Sequence, residues 1–408
     1  MKSKLFETIE GLQENIIKDL GAIISVPAIA PSTGGNGEYA KVQVIKERMK
    51  ALGFPEPEEY NAPDERAEKG IRPSLIYRFK GKTEKRLWFV AHTDVVPTGE
   101  LSLWKTDPFT PVYKNGCLYG RGTSDNGQEL IASAYAALAL IKAGLTPEYE
   151  VCLCFVADEE VGSKFGISYL IEQGLFSSED LVVVPDAGTE EGYFIEIAEK
   201  SLFWIEFTVQ GKQVHASMPH LGINACRVAN EFSYRLDEAL HKAFPEENRL
   251  FSPAVSTFEP TKRNANVPNV NTVPGRESFC FDCRVLPGIA PEEINKVIDA
   301  EIKKISAKTG AEITYVYLQR ECAPEPTPAD SPVVELIKDA VEQVLPVKTT
   351  VGGVGGGTCA AHFRRNGIPA VVWTQEEDVA HMPNEYAKAE HILNEAKVFA
   401  LMMLGKKA

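Results

Sequence analysis

The chain has 408 residues, and its 43 basic side chains against 57 acidic ones leave a net charge of −14 at neutral pH. At about 100–200 residues per domain, this length predicts two or three domains, or one large domain with an insertion. A content of 44% hydrophobic and 25% charged residues is typical of a globular protein and excludes a fibrous or disordered one. The acidic balance argues against nucleic acid or an anionic membrane as the main partner, because both require a basic face.

The first segment predicts an amphipathic helix rather than a targeting signal. Apolar residues recur every three or four positions, at Leu5, Ile9, Leu12, Ile16 and Leu20, without a continuous apolar run or a cleavage site. No apolar run in the sequence approaches the roughly 20 residues that span a bilayer. The eight cysteines show neither a disulfide-scaffold pattern nor the spacing of a four-sulfur zinc site. We therefore expect buried free thiols in the reducing environment of the cytoplasm.

Short apolar runs alternate with helical patterns in the first half of the chain and return near its end. The predicted strands are Ser74–Phe79, Leu87–Ala91, Val151–Ala157, Leu181–Val184 and Ala370–Trp373. The predicted helices between them include Gln128–Ala143 and Phe165–Gln173. Apolar strands that lack polar alternation and are separated by helices are buried on both faces. The pattern therefore predicts an α/β fold with a parallel or mixed sheet.

A different pattern occupies the stretch from Ser201 to Tyr317. Its predicted strands are Leu202–Val209, Ala254–Phe258, Ser278–Val285 and Ala311–Tyr317, and two amphipathic helices give the order β-α-β-β-α-β. This is the order of a small ferredoxin-like α+β domain. We therefore predict that residues 201–317 form an inserted domain. Residues 1–200 and 318–408 would together form the main α/β domain.

Candidate metal ligands follow the predicted strands at the points where these end. They are His92 and Asp94, Glu159 and Glu160, Asp186, and His381, with Asp125 at the start of a helix. In open α/β sheets, ligands bind outside the carboxyl ends of the strands, so these segments should meet in one crevice. Imidazole and carboxylate donors suit Zn²⁺, Co²⁺ or Mn²⁺. Each segment is unspecific by itself, but together they predict a metal site.

The same segments resemble the M20 family of co-catalytic metallo-aminoacylases and exopeptidases, which includes desuccinylase, acetylornithine deacetylase and carboxypeptidase types. The motifs AHTDVVP, GRGTSDNG, DEEVGS, PDAG, VHASMPHLGINA, GGGT and AHMPNEY occur in family order over essentially the whole chain. The resemblance implies a zinc-exopeptidase-like catalytic domain with an inserted lid domain that forms a homodimer. It also implies two bound divalent metal ions, which we expect to be zinc, with cobalt or manganese as alternatives.

The resemblance assigns roles to individual residues at the metal site. The metal ligands that it implies are His92, Asp125, Glu160, Asp186 and His381, with Asp125 bridging both ions. Asp94 would orient the ring of His92. Glu159 would be the general base for a hydroxide that bridges the metals and attacks an amide carbonyl.

In the inserted domain, the resemblance implies that His215 donates to the oxyanion from the partner subunit, which requires a dimer. The positions that match substrate contacts are Asn271, Arg284, Gly357 and Thr358. Simpler interpretations also exist for two of these side chains. His215 could simply be a half-buried histidine in a turn. Arg284 shares a strand face with Asp282, with which it could form a surface ion pair.

The sequence departs from the family pattern at two positions. His362 stands where desuccinylase and deacetylase types carry an arginine that pairs with a substrate carboxylate, and histidine is a weaker and pH-dependent partner. Desuccinylation is therefore less favoured than amide hydrolysis in general. Asn126 follows Asp125 where an acidic or apolar residue is usual, and the sequence offers no explanation for it.

The function that this sequence favours is hydrolysis of a small N-acyl amino acid or a short peptide. One alternative is a metallo-dipeptidase or carboxypeptidase of the same family, and another is a catalytically silent homologue that binds a small ligand. The run from Gly355 to Ala360 fits a loose dinucleotide-binding pattern, which would indicate a dehydrogenase. That match is weak because it lies near the C-terminus, far from a leading βαβ unit.

Overall fold

The computed structural model describes residues 2–405 of the chain, which contain ten α-helices and seventeen β-strands. The helices are α1 (Lys2–Glu10), α2 (Gln13–Ile24), α3 (Tyr39–Ala51), α4 (Gln128–Ala143), α5 (Ile167–Glu172), α6 (Ala225–Ala243), α7 (Pro291–Thr309), α8 (Pro332–Val344), α9 (Ala360–Arg365) and α10 (Ala389–Leu404). The strands are β1 (Glu58–Pro63), β2 (Ile71–Phe79), β3 (Arg86–His92), β4 (Val112–Lys114), β5 (Cys117–Tyr119), β6 (Glu150–Val156), β7 (Leu181–Val184), β8 (Phe194–Glu199), β9 (Ser201–Gln210), β10 (Val214–His215), β11 (Thr257–Arg263), β12 (Thr272–Val273), β13 (Arg276–Val285), β14 (Glu312–Glu321), β15 (Thr350–Val354), β16 (Ala370–Val372) and β17 (Tyr386–Lys388).

The described chain divides into two compact units. The first contains the residues up to Ile197, Thr327–Gly352, and the residues from Thr358 onward, and the second contains Ala198–Pro326 with Gly353–Gly357. The second unit is thus longer at both ends than residues 201–317, and it takes in a glycine segment that we had assigned to the main domain. Backbone hydrogen bonds explain this addition, since the amide of Gly353 donates to the carbonyl of Leu250 at 2.6 Å.

The first unit is built around a mixed sheet with the strand order β1-β2-β6-β3-β7-β16-β8-β15. Strands β6, β3, β7 and β16 run parallel to their neighbours in this series, whereas β2 pairs with β6 in the antiparallel direction. All five strands predicted in this part of the chain are confirmed, with bounds that differ by at most three residues. Helix α4 has the predicted bounds, which a long apolar pattern closed by a glycine makes unambiguous.

Helices cover both faces of this sheet, as the unalternating apolar strands predicted. On one face, Trp88 and Val90 of β3 belong to a buried cluster that includes Leu170 of α5 and Phe363 of α9. On the other face, the ring of Phe89 packs against the ring of Phe399 in α10, with centroids 4.9 Å apart. Successive residues of a strand point to opposite faces, so a strand buried on both sides has no polar position to reveal its alternation.

The second unit contains an antiparallel sheet with the order β11-β13-β9-β14, together with α6 and α7. The chain order β9-α6-β11-β13-α7-β14 is the predicted β-α-β-β-α-β arrangement. Along β9 the residues Phe203, Ile205, Phe207 and Val209 are buried in one core, and Trp204 faces away from it. The bounds predicted for one strand, Ala254–Phe258, are wrong, because β11 begins where Thr257 pairs with Arg284 of β13.

The N-terminal amphipathic segment forms two helices rather than one. Helix α1 ends at Glu10 and buries Leu5 and Ile9, and α2 begins at Gln13 and buries Ile16 and Leu20. Leu12 lies between the two helices and is half-buried. Within residues 2–405, the helices are too short or too polar to traverse a lipid bilayer. The eight cysteines are unpaired, as predicted, but only five of them are buried: Cys117 and Cys226 are half-buried and Cys322 is exposed.

Candidate metal centre

The carboxyl ends of parallel strands bring the predicted site residues to one edge of the sheet. Strand β3 ends at His92, and β7 ends two residues before Asp186. Because β3 pairs in parallel with both β6 and β7, the ends of these three strands lie side by side. The turn Glu159–Val161 follows β6, and Asp125 lies in the turn that precedes α4. The sheet therefore gathers residues that are far apart in sequence.

Asp125 lies between two histidine rings and presents one carboxylate oxygen to each. Its Oδ1 is 2.7 Å from Nε2 of His92, and its Oδ2 is 3.1 Å from Nε2 of His381. The same nitrogen of His92 is 3.3 Å from Oδ1 of Asp186. The same nitrogen of His381 is 3.1 Å from Oε2 of Glu160. The five residues thus form two groups of nitrogen and oxygen donors that share Asp125.

The chemistry of this donor set fits divalent metal ions. Three carboxylates face two imidazoles, and hydrogen bonds to Asp125 and Glu160 raise the pKa of His381 to about 10. The carboxylates therefore favour positive charge at the ring nitrogens. In the protein without metal a proton supplies this charge, and a divalent cation would replace it. Nitrogen and oxygen donors of this kind suit zinc, cobalt or manganese.

Glu159 lies beside the same group of donors. One of its carboxylate oxygens is within 4.8 Å of donor atoms of His92 and Asp186. Burial raises the pKa of Glu159 well above its usual range, and the charge of Asp186 raises it further. A carboxyl group with a raised pKa holds an accepted proton more firmly, which suits general acid–base chemistry.

The side chain of Asp94 holds the turn that carries Glu159 and Glu160. Its two oxygens accept hydrogen bonds from the backbone amides of these residues, at 3.0 Å and 3.1 Å. The ring nitrogen Nδ1 of His92 is 3.0 Å from the backbone carbonyl oxygen of Asp94 and 3.6 Å from its carboxylate. Asp94 therefore touches His92 mainly through its main chain, and its carboxylate contacts the neighbouring acidic turn.

A buried ion pair that the sequence analysis missed holds the turn of Asp125. Oε1 of Glu385 accepts hydrogen bonds from the backbone amides of Gly122, Ser124 and Asp125 at 3.0–3.1 Å. Its Oε2 is 2.6 Å from Nη1 of Arg121. Arg121 also donates to the backbone carbonyl of His381 at 3.2 Å. Glu385 belongs to the AHMPNEY motif and Arg121 to GRGTSDNG. The motifs thus contain both residues, but nothing in the sequence indicates that the two side chains contact each other.

Asn126, which the sequence left unexplained, connects three segments of the site. Its side-chain oxygen accepts from the backbone amide of His92 at 3.1 Å. Its side-chain nitrogen donates to the carbonyl of Pro185 at 2.6 Å and to Oδ1 of Asp186 at 3.0 Å. An amide is needed for this arrangement because it donates and accepts at once, which neither a carboxylate nor an apolar group can do.

His215 and Asn271 lie next to each other in the second unit. They sit at the two-stranded ribbon of β10 and β12, where His215 pairs with Thr272 and the amide of Ala216 donates to the carbonyl of Asn271. The ring nitrogen Nδ1 of His215 is 2.8 Å from Oγ of Ser217, and the side chain is exposed. The ring of His215 is thus exposed and held by a contact within its own turn.

The other predicted substrate contacts have local partners. Arg284 donates to both carboxylate oxygens of Asp282, the ion pair expected from their shared strand face, and to the carbonyl of Gly355 at 2.6 Å. Gly357 lies between β15 and α9, and Oγ1 of Thr358 accepts from the amide of Ala360 at 3.1 Å. Thr358 therefore stabilises the start of α9.

Comparison with known families and relatives gives a consistent result. The model of peptidase family M20/M25/M40 matches residues 88–405. An uncharacterized metallohydrolase of Methanococcus maripaludis is 39% identical to this chain, over 98% of it and 99% of the relative. A succinyl-diaminopimelate desuccinylase of Nautilia profundicola is 25% identical, over 94% of this chain and 98% of the enzyme.

A solved structure supports the fold. The YXEP protein of Bacillus subtilis, described as a dinuclear metal-binding peptidase of the M20 family, matches with a TM-score of 0.66. The match covers 97% of this chain and 98% of that protein, at 14% identity. At this identity the likeness supports the fold alone.

We expect Glu385→Ala to weaken both folding and metal binding. The substitution leaves the buried Arg121 without its counter-charge and three amides without their acceptor, which should lower the free energy of unfolding by about 3–5 kcal/mol. Metal affinity should fall about 10- to 100-fold because the turn of Asp125 loses its support. Denaturation and competition with a chelator measure the two effects. Glu190→Ala, which breaks the exposed pair with Lys388, is the control, and equal metal affinity in both variants would contradict the expectation.

Proposed function

Because the chain belongs to peptidase family M20/M25/M40, we propose that it is a two-metal hydrolase that cleaves an amide bond in a small N-acyl amino acid or a short peptide. The observation that carries this proposal is the position of Asp125, whose two oxygens each face a different histidine. A carboxylate placed in this way can bind two metal ions at once. We propose two ions here, the number that the description of the Bacillus subtilis protein gives for that protein.

We assign His92 and Asp186 to one metal ion, Glu160 and His381 to the other, and Asp125 to both. Bound divalent ions would polarise the scissile carbonyl group and lower the pKa of a water molecule. Zinc is the metal that we propose, with cobalt and manganese as alternatives that the same donors accept.

Glu159 is the general base in this proposal. It accepts a proton from the attacking water while the water oxygen forms a bond to the carbonyl carbon. When the carbon–nitrogen bond breaks, the same carboxyl group returns the proton to the departing amine, and the carboxylate is regenerated. The support for this role is the position of Glu159 beside His92 and Asp186 and the burial that raises its pKa.

The substrate is proposed to lack the second carboxylate of a succinyl group. The Nδ1 atom of His362 is 3.0 Å from Oγ of Ser168, so this ring already has a polar neighbour within its own unit. An imidazole cannot replace the bidentate contact that an arginine makes with a carboxylate. Although one relative is named a desuccinylase, we therefore place N-acetyl or N-carbamoyl amino acids and dipeptides ahead of N-succinyl compounds.

Release of amine from a substrate panel tests the proposed reaction. The panel contains N-acetyl-, N-succinyl- and N-carbamoyl-amino acids and dipeptides, each assayed with added Zn²⁺ or Co²⁺ and after chelation. We expect metal-dependent release from at least one member, with N-succinyl compounds slower than the best substrate. Protein that holds two metal ions but releases no amine from any member would favour a silent, ligand-binding homologue.

Replacement of Glu159 by glutamine should remove turnover and leave the metal ions in place. The amide keeps the size of the side chain but cannot accept the proton, so we expect kcat to fall about 10²- to 10⁴-fold. Metal content by elemental analysis should equal that of the wild type. Glu172→Gln, at an exposed position of α5, is the control. A Glu159→Gln enzyme with normal kcat would reject this residue as the base.

We further propose that the protein acts as a homodimer in which His215 of one subunit serves the site of the other. Support comes from the exposure of this ring and from its orientation by Ser217. A donor of this kind would stabilise the negative charge that develops on the carbonyl oxygen. We propose a cytoplasmic location, because none of the eight cysteines is paired with another and unpaired thiols are typical of a reducing compartment.

A mixture of two inactive variants tests the contribution of the partner subunit. Glu159→Ala and His215→Ala should each be inactive alone. If His215 acts across the dimer, random exchange of subunits creates heterodimers with one intact site, and activity should recover to about a quarter of the wild-type value. Recovery is measured after denaturation and joint refolding. Absence of recovery, with mixed dimers shown to be present, would contradict action from the partner.

A further inference from the structure

Two buried glutamates of the first unit meet without a cation between them. Glu129 lies in the first turn of α4 and Glu395 lies in α10, and neither residue has exposed surface. Within residues 2–405, neither carboxyl group forms an ion pair with a lysine, arginine or histidine. Two carboxylates that share a buried site repel each other, so one of them is expected to hold a proton.

Both carboxyl groups contact the same two side chains. Oγ1 of Thr374, which follows β16, is 2.8 Å from Oε1 of Glu129 and also contacts Oε1 of Glu395. Nε2 of Gln128 is 2.8 Å from Oε1 of Glu395 and 3.2 Å from Oε1 of Glu129. The same nitrogen is 3.0 Å from the carbonyl oxygen of Gln375, whose backbone amide donates to Oε1 of Glu395 at 2.9 Å. The two carboxyl groups therefore compete for the same hydrogen atoms.

The hydrogen atoms on these donors are too few for two carboxylates. A hydroxyl carries one hydrogen and a side-chain amide nitrogen carries two. Thr374 and Gln128 each give one hydrogen to Glu395, and the carbonyl of Gln375, which is nearer than Glu129, takes the second hydrogen of Gln128. A proton on Glu129 removes the resulting deficit, because a carboxylic acid can donate to the oxygen of Thr374. Glu395 then remains the ionised member and accepts three hydrogen bonds at one oxygen.

Two further observations favour a proton on Glu129. Oε2 of both glutamates is buried and lacks a hydrogen-bond partner within the described part of the chain, which a neutral acid tolerates better than a carboxylate does. Burial raises the pKa of Glu129 well above its usual range, and the charges of Glu395 and Glu376 raise it further. Burial also raises the pKa of Glu395, to about 7. Glu129 is therefore the group that keeps its proton at neutral pH.

The basic side chains on the elements packed against α4 and α10 have other partners or are exposed. Those with charged partners are His92 with Asp125, Arg86 with Asp180, Lys388 with Glu190, Lys397 with Glu10 and Lys338 with Glu335. Asp19 of α2, an acidic neighbour of α4, is held by Arg48 and by the hydroxyl of Tyr135. Burial lowers the pKa of His391 in α10, so its ring is neutral at neutral pH. These groups therefore leave the repulsion between the two glutamates without a compensating cation.

We propose that Glu129 is a buried carboxylic acid whose proton bonds to Thr374, and that this contact fastens the start of α4 to the segment after β16 only while the proton is held. Each of the two joined segments supports part of the candidate metal centre. Asp125 lies four positions before Glu129. A Cβ at Gly188, two positions after Asp186, would lie 2.0 Å from the carbonyl oxygen of Thr374. Loss of the proton at alkaline pH places two charges side by side and loosens both segments. The proton itself is independent of the proposed function, whereas its effect on metal binding rests on it.

Glu129→Gln tests the proton, because an amide donates to Thr374 at every pH. A glutamate whose pKa is raised by folding contributes stability below its ordinary pKa of about 4.3 and loses it as the pH rises to the raised value. Across that range, the wild-type folding equilibrium constant should fall about tenfold per pH unit relative to that of Glu129→Gln. Urea denaturation of both proteins at a series of pH values measures the ratio. Glu390→Gln, at an exposed position of α10, is the control and should follow the wild type.

Infrared difference spectra identify which glutamate carries the proton. At neutral pH, the C=O band of a carboxylic acid should disappear in Glu129→Gln and persist in Glu395→Gln. The reverse pattern would overturn the assignment, as would a pH dependence of stability that is equal in the wild type and in Glu129→Gln. Failure of Glu129→Gln to fold would also contradict it, because glutamine keeps the shape and the donor of the acid.

Competition with a chelator measures the effect on the metal centre. As the pH rises, the Zn²⁺ affinity of the wild type should fall about tenfold further than that of Glu129→Gln, because Asp125 and Asp186 lose support. Equal affinities at every pH would overturn the fastening of the two segments. The infrared and denaturation readouts need neither metal nor substrate, so an inactive substrate panel would reject the proposed reaction without affecting them.

Discussion

The contact on which the candidate site depends is that of Asp125 with two histidines. One carboxylate can serve two donor groups only if its turn is held rigidly, because a small rotation would move one oxygen away from its ring. Glu385 provides that rigidity with three backbone hydrogen bonds, and Arg121 anchors Glu385 while also contacting the main chain of His381. Two loops that carry candidate ligands are thus fastened to one buried ion pair.

Several buried charged side chains of the first unit are arranged in pairs of opposite sign. Arg72, which is fully buried, pairs with Glu38 and with Asp158 at the start of the acidic turn. Arg121 pairs with Glu385. Each cation offsets a carboxylate that in turn fixes a backbone segment of the site. A buried pair contributes little net stability but is costly to break, so such pairs favour one geometry over its alternatives.

The parallel strands provide the frame for these contacts. Their apolar side chains pack against helices on both faces, so the strand ends cannot shift relative to one another without disturbing two cores. The candidate metal ligands at the strand ends are therefore held in place by the packing of the sheet. The second unit is built differently, with an antiparallel sheet whose alternation leaves one face outside its core.

The sequence by itself determined most of the local structure and the chemical type of the site. The bounds of α4 were predicted to the residue because a long apolar pattern ends at Gly144. Those of β7 were predicted to the residue because it is a short, continuous apolar run. The residue types at the strand ends, together with the family motifs, identified the candidate ligands. By contrast, the sequence analysis did not identify β8 and β15, which lie at one end of the sheet.

Only the tertiary structure decided which polar residues support that site. Glu385 and Arg121 are separated by 264 positions, and their contact follows from the packing of two loops. The sequence did not explain Asn126 because two of its three partners are main-chain groups, at His92 and Pro185, and a backbone group does not depend on residue type. These contacts exist only because elements distant in the chain pack together, which is the information that a linear pattern does not contain.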